Sequence, residues 1–286
     1  MGRSTKTTRN GAFGMFRRRA ARGFSSLLAL LGMLVLLTAL AVYTALYPQT
    51  GGTVIFGGEQ LSIDASHTDQ GYVMIQHAET EEPLKLRIAN GEDTLTYDLE
   101  ADGEYTAFSL NLGDGHYTFQ VFQRVAGKRY TREASYAVDV AIEDKLLPYL
   151  YPNQYVWYTP ESAAVAKAGE LCRGLGTDRE MLAAVRAYVT DHIAYDYLLA
   201  QTVNSGYLPS VDAVLDTGKG ICFDYAALTA CMLRSQGIPV QLVIGFADHS
   251  YHAWNKVLVD DHWILVDTTA EANAMRVTSY TEERVY

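Results

Sequence analysis

The sequence predicts an α+β fold in which one buried helix packs on antiparallel strands, preceded by a small all-β sandwich and one membrane-spanning helix. Three observations support this prediction. Residues 221–233 are apolar or small around most of the helical circumference, as in a core helix. Residues 61–142 show short alternating runs separated by turn residues, as in an antiparallel sandwich. The stretch from Phe24 to Tyr47 carries no charge and is long enough to span a bilayer.

The buried helix has clear signals at both ends. Gly218 and Gly220 precede it and allow a sharp entry with close backbone approach. Gly237 and Pro239 end it, because glycine caps a helix and proline cannot continue it. Cys222 therefore lies in the first turn, where unpaired amide groups and the helix dipole favour an anion. A thiol in such a position ionises more readily than a free one.

The remaining two cysteines have other expected roles. Cys231 lies about half a revolution from Cys222 and should face the core as an inert residue. A nucleophilic cysteine must stay reduced, so at most Cys172 and Cys231 could form a disulfide, and we expect them not to. Three cysteines are too few for a disulfide framework.

Two strands following the helix bring further polar residues together. The runs 252–259 and 262–268 flank Asp260-Asp261, which predicts a hairpin with a two-residue turn. In that register His252 and Asp267 project from the same face as diagonal neighbours, with backbones roughly 7–8 Å apart. A shift of one residue would put them on opposite faces. Cysteine, histidine and aspartate are the residue types of a thiolate nucleophile, a general base and acid, and an orienting carboxylate.

Four segments in this region resemble the core of the transglutaminase-like superfamily, in order and in spacing. They read Gly-Lys-Gly-Ile-Cys-Phe-Asp-Tyr-Ala (218–226), Arg-Ser-Gln-Gly-Ile-Pro (234–239), His-Ala-Trp-Asn (252–255) and Val-Asp-Thr-Thr (266–269). The resemblance covers about half of the chain and is to the membrane-anchored bacterial type. It implies a papain-like α+β fold, with Cys222 as nucleophile, His252 as its base and Asp267 as the partner of the histidine.

The chain departs from the animal transglutaminases at one position. Those enzymes carry an upstream tryptophan that helps to stabilise the oxyanion, and no tryptophan lies between Gly174 and Gly220. Tyr195 and Tyr197 are the substitutes we consider. Trp254 and Trp263 are expected to pack around the site.

Other interpretations of these residues stay open. Each of the three residues, taken alone, is more often structural than catalytic. A zinc site formed by Cys222, His249, His252 and Asp267 is conceivable from the residue types, although the chain has no Cys-x-x-Cys pair. The sequence has no phosphate-binding glycine loop, and we expect no cofactor and no metal.

Charge is divided unevenly along the chain. Seven of the 23 basic residues lie in residues 1–23, which contain no acidic residue. The remainder therefore holds 16 basic against 33 acidic residues, a balance of −17. An acidic domain argues against nucleic-acid binding. The basic flank before Phe24–Tyr47 predicts a cytoplasmic N-terminus and an extracytoplasmic catalytic domain in a single-pass membrane protein. The alternative is a cleaved signal peptide, with a small-residue site at Ala39-Leu40-Ala41.

The predicted organisation has five parts. These are a cytoplasmic basic tail (1–23), a transmembrane helix (24–47), a linker (48–58), a β-sandwich (59–143) and a transglutaminase-like catalytic domain (144–286). The run from Leu112 to Tyr117 is similar to the tyrosine corner of immunoglobulin-like domains. We interpret the sandwich as a spacer or docking domain, with a specific carbohydrate- or protein-binding role as the alternative. The polar tail from Glu271 offers no functional signal.

The predicted function is a membrane-anchored cysteine enzyme that attacks amide or peptide bonds of protein or peptide substrates at the cell surface through a thioester. The triad alone does not distinguish a protease or amidase from a protein-glutamine transglutaminase. We favour hydrolysis because the upstream tryptophan is missing. A non-catalytic cell-surface binding or assembly module is the alternative of another class.

Overall fold

The computed structural model describes residues 1–2 and 47–286. The predicted basic tail and the predicted transmembrane helix fall almost entirely on residues 3–46, outside the described residues. Within 47–286, no helix combines the length and the apolar character that a membrane crossing requires.

The first half of the described chain is all β. It contains eight strands: β1 (Ile55–Gly57), β2 (Leu61–Asp64), β3 (Tyr72–His77), β4 (Leu84–Asn90), β5 (Asp93–Leu99), β6 (Thr106–Ser109), β7 (Gly115–Ala126) and β8 (Arg129–Val140). They form two four-stranded antiparallel sheets in the orders β1-β2-β3-β6 and β5-β4-β7-β8. Buried side chains from both sheets belong to one hydrophobic core. The region 61–142, predicted to form short strands, therefore contains β2 to β8, and β1 precedes it.

The alternating sequence pattern explains how this core forms. In β4, Leu84, Leu86 and Ile88 are buried, while the residues between them are more exposed. Tyr117 of β7 is buried within the sandwich, and its hydroxyl donates to the Gly113 carbonyl at 2.9 Å. A tyrosine hydroxyl bound to backbone a few residues upstream is the contact of a tyrosine corner.

The segment 48–58, predicted as a linker, is bound to the sandwich. The backbone N–H groups of Gly51 and Gly52 both donate to the Asp64 carboxylate, at 2.9 and 2.8 Å. Residues Ile55–Gly57 then pair with β2. A buried carboxylate with amide donors holds the segment against the sandwich, and local composition does not reveal such a contact.

The second half contains six helices and a third sheet. The helices are α1 (Ala163–Leu171), α2 (Asp178–His192), α3 (Tyr197–Thr202), α4 (Val211–Thr217), α5 (Cys222–Arg234) and α6 (Thr268–Ala272). The strands are β9 (Ala194–Tyr195), β10 (Lys219–Gly220), β11 (Val240–Ala247), β12 (Ser250–Val259), β13 (His262–Val266) and β14 (Tyr280–Val285). The sheet has the antiparallel order β13-β12-β11-β14, and β9 pairs with β10 in parallel. The region 195–209 contains the end of β9 and the whole of α3.

Helix α5 is the buried helix that its apolar sequence predicts. Eleven of its residues, from Asp224 to Arg234, are buried. It packs against β12 on one side and against α2 on another. Asn255 of β12 fastens the sheet to the helix, because its fully buried amide donates to the Ala226 carbonyl at 3.1 Å.

The β12–β13 hairpin has the predicted register. Val259 pairs with His262 and Val257 pairs with Ile264. Asp260 and Asp261 both adopt positive φ, at 52° and 61°. Two central residues with positive φ are typical of the two-residue hairpin turn that matches the twist of the strands.

The C-terminal segment carries more structure than its polar sequence suggested. Strand β14 pairs antiparallel with β11, with a register shift between Ile244 and Gly245. Gly245 permits this close approach, because a Cβ atom there would lie 2.0 Å from the Thr281 carbonyl oxygen. Any larger residue at 245 would push β14 away from the sheet.

Candidate active site

Cys222 occupies the first position of α5 and is the cysteine with access to solvent. It is partly exposed, whereas Cys172 and Cys231 are buried, and all three thiols are free. Burial raises the pKa of both the Cys172 and the Cys231 thiol. Only Cys222 therefore combines a helix N-terminus with an open approach.

The entry to α5 is fixed by the buried carboxylate of Asp224. One of its oxygens accepts from the Ile221 backbone N–H at 2.8 Å, and the other accepts from the Tyr207 hydroxyl at 2.7 Å. Gly220 lies so close that a Cβ atom there would be 2.5 Å from the Asp224 Cβ. Glycine at 220 and aspartate at 224 together set the sharp turn that presents Cys222.

His252 and Asp267 are joined by a direct hydrogen bond, as the hairpin register requires. His252 Nε2 donates to Asp267 Oδ2 at 2.8 Å, and both side chains are buried. This leaves Nδ1 of the imidazole for Cys222. Burial alone would lower the pKa of His252, but hydrogen bonds to Asp267 and Cys222 and their negative charges raise it to about 9. For Asp267, burial favours the neutral acid, but His252, the Ala270 amide and Tyr280 together hold its pKa below the ordinary value.

The shifted pKa of His252 predicts a pH-dependent free energy of unfolding. Because the pKa rises from 6.5 to about 9 on folding, the imidazolium stabilises the fold fully below pH 6.5, and this stabilisation is lost as the pH rises through about 9. The loss is on the order of 3 kcal/mol at most. Urea unfolding of wild type and His252→Gln at about pH 6 and about pH 10 measures it. The wild type should lose more stability over this range than the variant, and equal losses would contradict the ion pair.

Asp267 makes more contacts than the hairpin alone predicts. It is the N-cap of α6, where Oδ1 accepts from the Ala270 backbone N–H at 2.9 Å. The Tyr280 hydroxyl of β14 donates to Oδ2 at 2.9 Å. Three donors from three elements therefore fix the carboxylate that faces His252.

The two tryptophans expected around the site differ in position. Trp254 is 1% exposed and its ring lies nearly parallel to the His252 imidazole, with centroids 6.3 Å apart. Trp263 is on the edge strand β13 and packs edge-on against Tyr149 instead. The expectation for Trp263 is therefore corrected, because Trp263 pairs with Leu258 next to the hairpin turn, at the opposite end of the hairpin from His252.

Cys222 and His252 open into a cleft of about 380 Å³ whose walls come from several parts of the chain. The loop 203–208 forms one wall, and Arg284 and Tyr286 of the C-terminal segment form another. Asp98 of β5 also lines the cleft, so the sandwich contributes directly to it. Gln154 holds Asp98 in place by accepting from its N–H at 3.0 Å and donating to its carbonyl at 2.7 Å. Nothing in the sequence indicates that the sandwich forms part of the cleft.

Tyr195 and Tyr197 lie differently with respect to Cys222. Tyr195 pairs with Gly220 in the β9–β10 bridge, two residues before the cysteine. Burial raises the pKa of Tyr195, and electrostatic interaction with Cys222 raises it further. Tyr197 is 67% exposed. Of the two, Tyr195 is the one beside the sulfur.

The residues of the alternative zinc site are not arranged as a ligand set. His249 is exposed in the turn between β11 and β12. Cys222, His252 and Asp267 form a chain of contacts rather than a common centre. Within residues 47–286, no three His, Cys, Asp or Glu side chains converge in a way that would hold a metal ion.

A known family model matches the part of the chain that holds this site. Residues 165–268 match the model of the transglutaminase-like superfamily, a span that includes Cys222, His252 and Asp267. The chain therefore contains a transglutaminase-like domain. Its transglutaminase-like domain has a mixed α/β fold with antiparallel sheets.

The transglutaminase-like domain also matches curated proteins. Over 126 residues the chain is 31% identical to the human kyphoscoliosis peptidase, a match that covers 38% of this chain and 19% of that protein. The mouse kyphoscoliosis peptidase is 29% identical over 123 residues, covering 39% and 18%. The chain thus spans about a fifth of the length of these relatives.

The chain also resembles solved structures, at lower sequence identity. A candidate cysteine protease from Cytophaga hutchinsonii is 16% identical with a TM-score of 0.39, and the match covers 75% of this chain and 83% of that one. A TGase crystal structure is 22% identical with a TM-score of 0.32, covering 42% and 32%. The family assignment of the transglutaminase-like domain rests on the sequence match.

Proposed function

We propose that the transglutaminase-like domain is a cysteine enzyme that attacks amide or peptide carbonyls through Cys222. The observation that carries this proposal is the His252–Asp267 hydrogen bond at the edge of a cleft that Cys222 also lines. In the first step His252 Nδ1 takes the thiol proton, and the resulting imidazolium is stabilised by Asp267. The raised pKa of His252 favours this charged form near neutral pH.

Acylation and deacylation follow from the same groups. The Cys222 sulfur bonds to the carbonyl carbon, and the tetrahedral intermediate collapses as His252 gives its proton to the departing amine. This leaves a thioester on Cys222. Water, deprotonated by His252, then attacks the thioester and releases the acid and the free thiol. The Cys222 backbone N–H would donate a hydrogen bond to the oxyanion of the tetrahedral intermediate. It is free to do so because the N–H groups in the first turn of a helix have no partner within the helix.

We propose Tyr195 as the second oxyanion donor, since it pairs with Gly220, two residues before Cys222, and interaction with Cys222 contributes to the raised pKa of its hydroxyl. Tyr195→Phe should lower kcat about 10²-fold, in the range expected for loss of one oxyanion donor, with KM nearly unchanged. Tyr197→Phe is the matched control, because its ring is exposed, and should keep kcat within about twofold of wild type. Equal kcat in the two variants would exclude Tyr195 from this role.

We propose hydrolysis rather than transamidation as the fate of the thioester, because no tryptophan precedes Cys222 between Gly174 and Gly220. Mass spectrometry of a peptide library incubated with the protein, with and without an added primary amine, separates the possibilities. Cleaved or deamidated peptides in both samples support hydrolysis. Products that contain the amine indicate a transglutaminase. Unchanged peptides in both samples favour a binding or assembly module.

We also propose that Phe24–Tyr47 anchors the chain in a membrane, with the catalytic domain outside and protein or peptide substrates at the cell surface. The uncharged run and the seven basic residues before it support this topology. Protease treatment of intact cells tests it. Digestion of residues 47–286 is the expected result, and protection of that region would contradict the topology.

A further inference from the structure

Tyr280 contacts the candidate triad from an element that sequence reasoning left without a role. Its hydroxyl donates to Asp267 Oδ2 at 2.9 Å, and His252 Nε2 donates to the same oxygen at 2.8 Å. Asp267 is only 4% exposed, and its other oxygen accepts from the Ala270 amide. The phenol and the imidazole therefore share one carboxylate oxygen in a buried site.

The direction of this hydrogen bond is fixed. A carboxylate only accepts, and burial together with the charge of Asp267 raises the pKa of Tyr280, so the hydroxyl keeps its proton. The charged groups that act on Tyr280 are Asp267, Asp248 in the β11–β12 turn, and Glu271 on α6. All three are acidic, so each of them favours the protonated phenol.

Several contacts place Tyr280 at this point. Asp248 Oδ1 accepts from the Thr278 hydroxyl at 2.6 Å and from the Ser279 backbone N–H at 3.0 Å, just before Tyr280. Tyr280 then pairs with Ala247 as β14 begins. Its ring lies 5.0 Å from that of the buried Trp254. The preceding residues, the backbone pairing with β11 and the ring contact with Trp254 thus fix the position of Tyr280.

We propose that Tyr280 is a positioning residue for Asp267, holding the carboxylate in the orientation that serves His252 and sharing its negative charge. The inference rests on the proposed function of the triad. Without the hydroxyl, Oδ2 loses one of its two donors, and more of its charge acts on His252. The carboxylate is then held by two hydrogen bonds, from His252 and from the Ala270 amide, instead of three. Among the described residues, Tyr280 is not part of the lining of the cleft beside Cys222 and His252. It therefore acts through Asp267 and not on the substrate.

The test uses ¹³C-histidine-labelled full chain and follows the His252 ring resonance by NMR as the pH is raised. His252→Gln assigns the resonance among the seven histidines. In wild type we expect a midpoint of about 9. In Tyr280→Phe the midpoint should rise by roughly 0.5 or more, because the imidazolium faces a carboxylate with one donor fewer. With a peptide substrate, kcat should fall about tenfold at unchanged KM.

Two further variants separate the hydroxyl from the ring. Tyr158→Phe removes another buried tyrosine hydroxyl, which donates to the Leu150 carbonyl at 2.8 Å away from the triad, and should leave the midpoint unchanged. Tyr280→Leu removes ring and hydroxyl together and should raise the midpoint as Tyr280→Phe does. A shift in the leucine variant alone, a downward shift, or no shift in either variant would overturn the proposal. The NMR midpoint needs no turnover, so a missing shift in Tyr280→Phe is distinguishable from a failure of the proposed activity.

Discussion

Cys222→Ala is expected to lower kcat/KM on the best library peptide at least about 10³-fold, because the covalent route through a thioester is lost. The cysteine is partly exposed at the mouth of the cleft, and alanine fits the first turn of a helix. The free energy of unfolding should therefore change by less than about 1 kcal/mol. Steady-state kinetics and urea unfolding measure the two effects separately.

Cys172→Ala is the matched control for this experiment. Cys172 is buried at the end of α1, outside the cleft. Its replacement should keep kcat/KM within about twofold of wild type while costing some stability. Activity that survives Cys222→Ala, or that is lost equally in both variants, would remove Cys222 as the nucleophile.

Arg234→Ala is expected to lower the free energy of unfolding by about 3–5 kcal/mol, a large fraction of the stability of an ordinary domain. Its guanidinium is 0% exposed and makes hydrogen bonds of 2.7–3.0 Å to the carbonyl oxygens of Tyr151, Val240 and Tyr286. Within residues 47–286, no Asp or Glu side chain forms an ion pair with it. Burial lowers its pKa, but only to about 10, so the group stays charged at neutral pH.

The large effect follows from what the variant leaves behind. Alanine would leave three buried carbonyl oxygens without donors, as well as a cavity. Arg234→Lys should lie between wild type and alanine, since one ammonium group does not reproduce the planar array of donors. Arg179→Ala is the control, because its ion pair with Asp260 is solvent-exposed and should contribute less than about 1 kcal/mol. A loss below about 1 kcal/mol for Arg234→Ala would show that these hydrogen bonds do not hold the three segments together.

The parts of the fold that the sequence predicted correctly are those determined locally. The two-residue turn at Asp260-Asp261 sets the register of β12 and β13, and that register brings His252 to Asp267. The apolar circumference of α5 predicts its burial, and the glycine at 220 predicts the close approach that Asp224 makes. Each of these inferences depends on residues close together in the chain.

What the sequence did not predict depends on contacts between distant residues. Asn111 donates to the Val285 carbonyl across 174 positions, and Arg234 reaches Tyr151 across 83. Arginine is common in the last turn of a helix, and nothing in the sequence near Arg234 indicates that its side chain is buried. Tyr280 lies in a polar segment whose pairing partner β11 is more than thirty residues earlier. Tertiary pairing determines these positions.

The sandwich is also more closely linked to the cleft than a spacer would be. Asp98 of β5 lines the same cleft as Cys222, and Gln154 of the segment between the two halves holds its backbone on both sides. A substrate in the cleft would therefore contact both halves of the chain. The alternation of apolar and polar residues in the sequence indicates which side chains of a strand face the core. It does not indicate which loop or strand end lies against a neighbouring domain.

The most direct test of the account is the rate at which iodoacetamide alkylates Cys222 at about pH 6, followed by mass spectrometry in wild type and in His252→Ala. If His252 and Asp267 hold the sulfur as a thiolate, the wild-type rate should exceed that of His252→Ala at least about tenfold. Equal rates in the two proteins would show that the imidazole does not activate the sulfur, and would contradict the catalytic role proposed for all three residues.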